Sequence, residues 1–227
     1  MPEATPTRPA RSRDSMSNIL FVAVGVSLVC SVLVASAALI LKPQQVKNAD
    51  RYRQRIILEV AGLYEPGADI DKLFSTIEAQ KIKLESGDEA TVYVVRKDGA
   101  IDEVILPIEG SGLWSTMYGY LAVESDGNTV RGLRFYEHGE TPGLGAQVDD
   151  PKWRALWRGK KLYDERHKPA IRIIKGVAPK GSEHEIDGLA GATLTGLGVT
   201  NFVRYWIGDE GYGPYLRSLQ QRNRSKS

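Results

Sequence analysis

One uncharged stretch near the start of the chain limits the folds that this sequence can adopt. Residues 19–41 read ILFVAVGVSLVCSVLVASAALIL, a run of 23 residues without an acidic or basic side chain. At about 1.5 Å per residue, a helix of this length reaches roughly 35 Å, which exceeds the bilayer hydrocarbon core of about 30 Å. The run therefore predicts one transmembrane helix ahead of a folded domain.

A cleaved signal peptide is the alternative interpretation of this stretch. Arg8, Arg11 and Arg13 could form its basic n-region, and residues 35–37 have the small side chains of a cleavage site. The apolar run is longer than the usual h-region of about 7–15 residues, which favours a retained span.

Basic residues flank the run on both sides, so their count alone does not orient the helix. Lys42, Lys47 and Arg51 follow the run, whereas three arginines precede it. The positive-inside rule acts on short loops, and long domains translocate largely regardless of charge. We expect the short N-terminal tail inside and the following domain outside the membrane.

Composition excludes several classes of function. The 30 Lys and Arg residues against 28 Asp and Glu leave a net charge of +2, which gives no electrostatic footprint for nucleic acid. The single cysteine, Cys30, lies in the apolar run, which excludes disulfide frameworks, cysteine-ligated zinc and iron–sulfur clusters. Any redox chemistry of this chain therefore needs an organic cofactor.

Patterning divides the chain into five segments. They are an N-terminal tail over 1–18, the transmembrane helix over 19–41, a helical connector over 42–88, the main domain over 89–218 and a flexible C-terminal tail over 219–227. Apolar residues at spacings of three and four predict connector helices over 48–63 and 70–82.

The main domain begins with period-two alternation of apolar residues. This pattern predicts strands over 90–96, 101–108, 118–124 and 129–136. Asp-Gly turns favour antiparallel pairing of these strands. Further patterns predict a helix over 151–157, a strand over 170–174 and a helix over 195–207. The fold class is α+β, an antiparallel sheet with packed helices preceded by one N-terminal transmembrane helix, and not a doubly wound nucleotide fold.

The sequence carries no familiar catalytic or metal-binding motif. His138, His167 and His184 are scattered, and neither H-E-x-x-H nor a nucleophile elbow is present. No glycine pattern matches G-x-G-x-x-G or the P-loop. We expect no catalytic residue, no metal site and no binding of NADH or ATP by this chain.

Residues 187–196 read DGLAGATLTG and place small residues and threonines directly before the last predicted helix. Thr193 then falls at or just before a helix N-terminus, where free N–H groups and the helix dipole favour a phosphate. The alternative is that Thr193 or Thr195 only caps the helix.

Two other segments could approach a ligand. Residues 137–145 read EHGETPGLG, typical of a rigid loop whose backbone can lie close to a flat molecule or of an ordinary surface loop. Lys175 and Gly176 follow a predicted strand, where the lysine could meet a phosphate or a cofactor ring, although a lone lysine is usually solvated.

Four sequence blocks, in this order along the chain, identify a family. They read GLWSTMYGY at 112–120, YEHGETPGLG at 136–145, AGATLT at 190–195 and GYGPYL at 211–216. The third block resembles the S/T-G-A-T flavinylation motif. Together the blocks resemble the FMN-binding domain family and, within it, the NqrC subunits of sodium-translocating NADH:quinone oxidoreductases, from the apolar run to about Leu216.

The resemblance implies a bacterial inner-membrane protein with a single span and a periplasmic FMN-binding domain at 89–218. Its partners are the other subunits of a respiratory complex that passes electrons from NADH to ubiquinone while Na+ is exported. Thr193 would carry FMN through a phosphodiester bond, made by a separate flavin transferase that uses FAD. The resemblance also places at the cofactor Glu140, Thr141, Leu144, Gly145, Lys175, Gly176, Leu194 and Thr195.

Two positions depart from the family pattern. Ala190 stands where Ser or Thr usually precedes G-A-T, and Gly196 replaces a more usual serine. We expect attachment of FMN to survive the first change and the second to loosen the first helical turn. Two alternatives stay open: the flavin subunit of a related complex that works with ferredoxin and NAD, and a membrane-anchored binding module whose threonine is never modified.

Overall fold

A computed structural model of the chain describes residues 15–224. The elements in chain order are α1 (Met16–Val60), α2 (Ile70–Phe74), β1 (Glu78–Lys83), β2 (Glu89–Lys97), β3 (Ala100–Ser111), β4 (Thr116–Glu124), β5 (Val130–Glu137), a 3-10 turn (Gly145–Asp149), α3 (Pro151–Ala155), β6 (Arg172–Ile173), β7 (Glu185–Ile186), α4 (Thr193–Trp206) and α5 (Gly213–Arg224). The chain divides into two compact units, the second of which starts at Asp50.

The first unit contains the N-terminal part of α1. This helix is long and apolar enough to cross a membrane, and its apolar side chains here are exposed. It begins at Met16, slightly before the predicted span, and continues past Pro43 through the segment predicted as a separate connector helix. It ends at Val60, earlier than the sequence pattern predicted. Residues 1–14 of the predicted tail lie outside the described residues.

The second unit is built on an antiparallel sheet in the order β1-β2-β3-β4-β5. Consecutive strands are neighbours, and Asp-Gly turns join β2 to β3 and β4 to β5, as expected for antiparallel pairs. Val94 pairs with Val104, and Leu106 pairs with Leu121. The four predicted strands are confirmed as β2 to β5, with ends that differ by a few residues.

Alternation along the strands gives the sheet two buried faces. One face carries Val104, Leu106 and Leu121, and it packs with the apolar stripe of α4 in the larger core. Phe135 and Phe202 meet there edge to face, with ring centroids 6.0 Å apart. The other face carries Ile105 and packs with the last turns of α1 and with side chains near α2. The fold is thus the expected α+β arrangement.

Two sequence predictions were wrong, and a third was confirmed only in part. The helix predicted over 70–82 ends at Phe74, and Glu78–Lys83 forms the edge strand β1 instead. The C-terminal tail predicted to be flexible from 219 is helical to Arg224, and Leu219 is buried. The strand predicted over 170–174 is reduced to Arg172–Ile173, which pairs in parallel with β7. The helix predicted over 195–207 is α4 and begins two residues earlier.

Candidate functional site

Thr193 is the first residue of α4, and its side chain is exposed. The residue before it, Ala192, occupies the N-cap position and offers no side-chain hydrogen bond. The first-turn N–H groups therefore lack the side-chain acceptor that usually satisfies them. The interpretation that Thr193 or Thr195 caps the helix is wrong, because neither threonine occupies the cap.

Thr195 has a different role, because it is fully buried. Its Oγ1 donates a hydrogen bond of 2.6 Å to Oε2 of Glu140, which is also buried. The other carboxylate oxygen of Glu140 accepts from the backbone N–H of Trp114 at 3.0 Å. Glu140 thus ties the loop over 137–145 to the first turn of α4 and to the loop between β3 and β4.

The hydrogen bonds at Glu140 set its charge. Burial alone would raise the pKa of this carboxyl, but the Thr195 hydroxyl and the N–H groups of Trp114, Leu113 and Ser115 outweigh burial and hold the pKa below its ordinary value. A negative charge is therefore maintained beneath the start of α4. Gly145 permits this contact, because a Cβ there would lie 2.7 Å from both Glu140 Oε2 and Thr195 Oγ1.

The loop over 137–145 also touches the segment before α4. Gly191 has a φ of +70°, which favours glycine, and a Cβ at this position would lie 2.8 Å from the Leu144 side chain. Gln147 Nε2 donates to the Ala190 carbonyl at 2.9 Å. The chain just before α4 is therefore held by the Leu144 side chain of this loop and by the Gln147 amide of the following 3-10 turn.

The segment that follows β6 forms another side of the site. The Gly188 N–H donates to the Gly176 carbonyl at 2.7 Å, and the Ala178 N–H donates to Asp187 Oδ1 at 2.8 Å. These bonds fold the chain around 174–178 onto 187–188. Lys175 is exposed there, and Gly176 adopts a φ of +84°.

A cavity of about 540 Å³ opens between these segments. Its volume lies within the range of about 300–1,000 Å³ that small-molecule sites occupy. Lys175, Gly176 and Thr193 line it together with apolar residues, among them the exposed Val177 and Leu197. An exposed hydroxyl, a lysine and apolar surface in one cavity are the groups that a phosphate joined to a flat aromatic ring would meet.

The residues suggested by the resemblance fall into three groups. Thr193, Lys175 and Gly176 line the cavity. Glu140, Gly145 and Thr195 form the buried contact beneath the start of α4. The remaining three, Thr141, Leu144 and Leu194, are exposed.

The two departures from the family pattern have local explanations. Ala190 is exposed, and its contact with Gln147 uses the backbone carbonyl, so this contact does not need a side-chain hydroxyl. A Cβ at Gly196 would lie 3.1 Å from Ile173 Cγ2, so a glycine here lets α4 lie close to β6. The expectation of a loosened first turn stays a prediction.

Sequence reasoning missed several residues of the cavity. Val177 and Leu197 line it, and Asp187 fixes its wall through a side-chain contact. Leu197 could have been found, because it follows Thr193 by one helical turn and lies off the core stripe. Val177 gives no such signal, since its position depends on the contact between 174–178 and 187–188.

Comparisons with known proteins identify the family of this chain. The FMN-binding domain family matches residues 112–208. The chain is 44% identical to the NqrC protein of the Na(+)-translocating NADH-quinone reductase from Vibrio vulnificus, over 92% of this chain and 97% of that protein. It is 43% identical to the corresponding protein from Pseudomonas aeruginosa, over 92% and 98% of the two chains.

A solved structure gives the same result for the fold. The crystal structure of Shewanella oneidensis NqrC matches with a TM-score of 0.71 and 32% sequence identity, over 78% of this chain and 99% of that one. The likeness in sequence extends over nearly the whole length of the curated relatives. The chain therefore belongs to the NqrC family of Na+-translocating NADH-quinone reductase subunits, with an FMN-binding domain.

Proposed function

We propose that this chain is the flavin-carrying NqrC component of a Na+-translocating NADH-quinone reductase and that Thr193 holds FMN covalently. The observation that carries the proposal is the placement of Thr193, which is exposed at the first position of α4 and lines the cavity of about 540 Å³. Thr195, the neighbouring candidate, is buried and bonded to Glu140, so its hydroxyl is not available.

The residues present fit FMN. The uncapped first turn of α4 and the exposed Lys175 suit the phosphate, since both present positive charge or free donors to an anion. The exposed apolar side chains of Val177, Leu194 and Leu197 suit the flat ring system. When bound, FMN supplies one- and two-electron redox chemistry, and the protein fixes its position and tunes its potential.

Attachment needs an exposed hydroxyl and no catalytic group in this chain. We propose that a separate flavin transferase activates Thr193 Oγ1, which forms a bond to the FMN phosphorus of FAD. The pyrophosphate bond breaks, AMP leaves and the hydroxyl proton passes to the transferase or to water. The hydrogen bond from Thr195 to the Glu140 carboxylate holds the first turn of α4 in place during this step.

The family also gives the cellular setting of the proposal. We propose that the apolar part of α1 anchors the chain in the bacterial inner membrane, that the domain lies in the periplasm and that the chain works with the other subunits of the complex. In that setting this domain would hold FMN between neighbouring electron carriers on the path from NADH to ubiquinone, and FMN would supply the redox chemistry. Outer-sphere transfer of this kind requires no acid or base in this chain.

In-gel flavin fluorescence tests the attachment site. The full-length chain is co-expressed with a flavin transferase, denatured and separated, so that only covalently held flavin remains in the band. We expect wild type to fluoresce, Thr193→Ala to be dark and Thr91→Ala, which removes an exposed threonine hydroxyl on β2, to fluoresce as wild type does.

A third variant separates the two threonines in the first turn of α4. Thr195→Ala removes the bond to Glu140 but leaves the Thr193 hydroxyl, so we expect a fluorescent band of equal or lower intensity. A dark Thr195→Ala band beside a bright Thr193→Ala band would contradict the assignment. Wild type that stays dark, while the transferase labels a control protein, would favour the unmodified binding module.

A further inference from the structure

A second cleft in the domain is lined by arginines and shares no lining residue with the cavity at Thr193. It has a volume of about 180 Å³ and lies where the end of α1, strand β5 and helix α3 meet. Its charged lining consists of Glu59, Arg131, Arg134, Arg154 and Arg158. Four arginines and one glutamate therefore line the same small space.

Carboxylates neutralise two of these arginines. Arg131 pairs with Asp102 and with the buried Glu103, each at 3.3 Å. Glu59 pairs with Arg134 and also accepts from Arg55 at 2.8 Å. Asp102, Glu103 and Glu59 are thus already engaged by arginines of the fold.

Arg154 and Arg158 have no such partner. Among residues 15–222, neither side chain forms an ion pair or a hydrogen bond with another part of the protein. Arg158 reaches the chain just after α1, where a Cβ on Gly62 would lie 3.8 Å from its Nη2. The Nε atom of Arg154 is buried from solvent and has no acceptor. A buried donor without an acceptor is unfavourable, so this atom indicates a missing group.

The positive charge of Arg154 also affects the neighbouring Arg134. Burial lowers the pKa of Arg134, and the positive charge of Arg154 lowers it further, whereas the exposed Asp149 raises it. The like charges of Arg134 and Arg154 therefore lie close enough to repel each other. An anion between them would relieve this repulsion.

We propose that this cleft binds one oxyanion group, a carboxylate or a phosphate, through Arg154 and Arg158. The planar fork of a guanidinium matches the two oxygens of either group. Arg154 is half-buried with a shielded Nε, whereas Arg158 is exposed, so Arg154 gains most from such a partner and Arg158 adds charge at the open side. A cleft of about 180 Å³ has room for a single such group and not for a nucleotide. The group comes either from a free anion or from an acidic side chain of another subunit of the complex.

Calorimetric titration of the full-length chain in detergent with inorganic phosphate tests the free-anion source. The variants are Arg154→Gln, Arg158→Gln and the double variant, with Arg166→Gln as a control that removes one exposed positive charge elsewhere. We expect the double variant to weaken phosphate binding at least tenfold and the control to leave it unchanged. Phosphate should also raise the melting temperature of wild type but not of the double variant.

Co-purification tests the other source. The complex is isolated through a tag on a different subunit, and the amount of this chain that stays bound is compared among the same variants. If phosphate does not bind but the double variant is retained several-fold less than the control, the oxyanion is an acidic side chain of a partner.

A purely structural arginine pair would behave differently in both assays. Equal phosphate binding and equal retention in wild type and double variant would overturn the proposed oxyanion site, and so would an equal loss in the Arg166→Gln control. Arg154→Lys keeps the charge but lacks the planar fork, so we expect it to restore only part of the lost binding.

Discussion

At the scale of single residues, Glu140 lies in a loop, yet its carboxylate connects this loop to two other segments of the domain. Its two carboxylate oxygens accept from Thr195 and from Trp114, while Gly145 leaves no room for a side chain beside them. The pKa of Glu140 is held below its ordinary value, so the acceptor-only carboxylate is the form that persists near neutral pH. The start of α4 therefore depends on a charged group that the solvent scarcely reaches.

Glu140→Gln tests this dependence. The amide nitrogen must face one of the donors that now point at the carboxylate, and a buried donor that faces another donor costs about 1–3 kcal/mol. We expect the free energy of unfolding in urea to fall by this amount. The exposed Glu137→Gln on the same loop should leave it within about 0.5 kcal/mol of wild type. Equal stability of the two variants would contradict the assigned role.

Glu103 shows the opposite electrostatic balance on the other side of the domain. It is 1% exposed, and its Oε2 has no hydrogen-bond donor although Arg131 lies 3.3 Å away. Burial is the main cause that raises its pKa from 4.5 to about 7, and the attraction of Arg131 offsets this only in part. The folded protein therefore binds a proton here that the unfolded chain has already released at mildly acidic pH.

This raised pKa predicts how stability changes with pH. Between about pH 4.5 and about pH 7 the folded state holds more protons than the unfolded state, so the contribution of Glu103 falls as pH rises, by about 3 kcal/mol in total. Glu103→Gln does not titrate. We expect its unfolding free energy to gain about 3 kcal/mol on wild type across this window. Urea unfolding at several pH values measures this, and parallel curves for the two proteins would refute it. The exposed Glu85→Gln serves as control.

At the scale of elements, α5 contributes to the larger core, although the sequence pattern predicted no helix in this segment. Leu216 and Leu219 are buried on it, and Tyr212 just before it donates from its hydroxyl to the Pro107 carbonyl at 2.8 Å. The helix is polar apart from this narrow stripe, so it gains little by itself and depends on the core.

A substitution on α5 checks whether this helix contributes to stability. Leu219→Ala creates a cavity in the core and should lower the unfolding free energy by about 2–5 kcal/mol. Gln221→Ala, on the exposed side of the same helix, should change it by less than about 0.5 kcal/mol. If the segment were the flexible tail that its composition suggested, both substitutions would have the same small effect.

The elements differ in how far local sequence determines them. Strands β2 to β5 were predictable because alternating apolar residues and Asp-Gly turns act within a few residues. Strand β1 was not, since its residues are largely polar and Ile70, Leu73, Phe74 and Ile77 continue a helical spacing. Strand β1 is extended because it pairs with β2, and this tertiary contact cannot be predicted from the local sequence.

In the candidate site, too, some features follow from local sequence and others from tertiary contacts. The small residues before α4 allowed Thr193 to be placed at a helix start, because capping and helix periodicity are local properties. The bond from Thr195 to Glu140 spans 55 positions along the chain, and the cavity wall at Val177 depends on the fold of 174–178. Family blocks could suggest Glu140, but only the packed structure distinguishes its buried contact from a direct place in the cavity.

At the scale of the whole molecule, the two faces of the sheet carry different features. The face with Leu106 and Leu121 packs on α4, whose first residue is Thr193. The opposite face packs on the last turns of α1, and the arginine cleft lies where α1 ends. The proposed cofactor site and the proposed oxyanion site are thus lined by different elements. We expect variants at Arg154 and Arg158 to leave FMN attachment unchanged, with in-gel fluorescence as the measurement.

For the whole molecule, the basic residues on both sides of the apolar run do not determine the orientation of the chain in the membrane. We expect the domain outside the cytoplasm, because a long domain translocates largely regardless of the basic residues at its start. In a Cys30→Ser background, Ser86→Cys places a thiol in an exposed turn of the domain, and Ser12→Cys places one before the span. A membrane-impermeant maleimide added to spheroplasts should label the first thiol at once and the second only after lysis. The reverse pattern would place the domain, and with it the proposed FMN, on the cytoplasmic side. Labelling of both thiols before lysis would point instead to a chain that does not span the membrane.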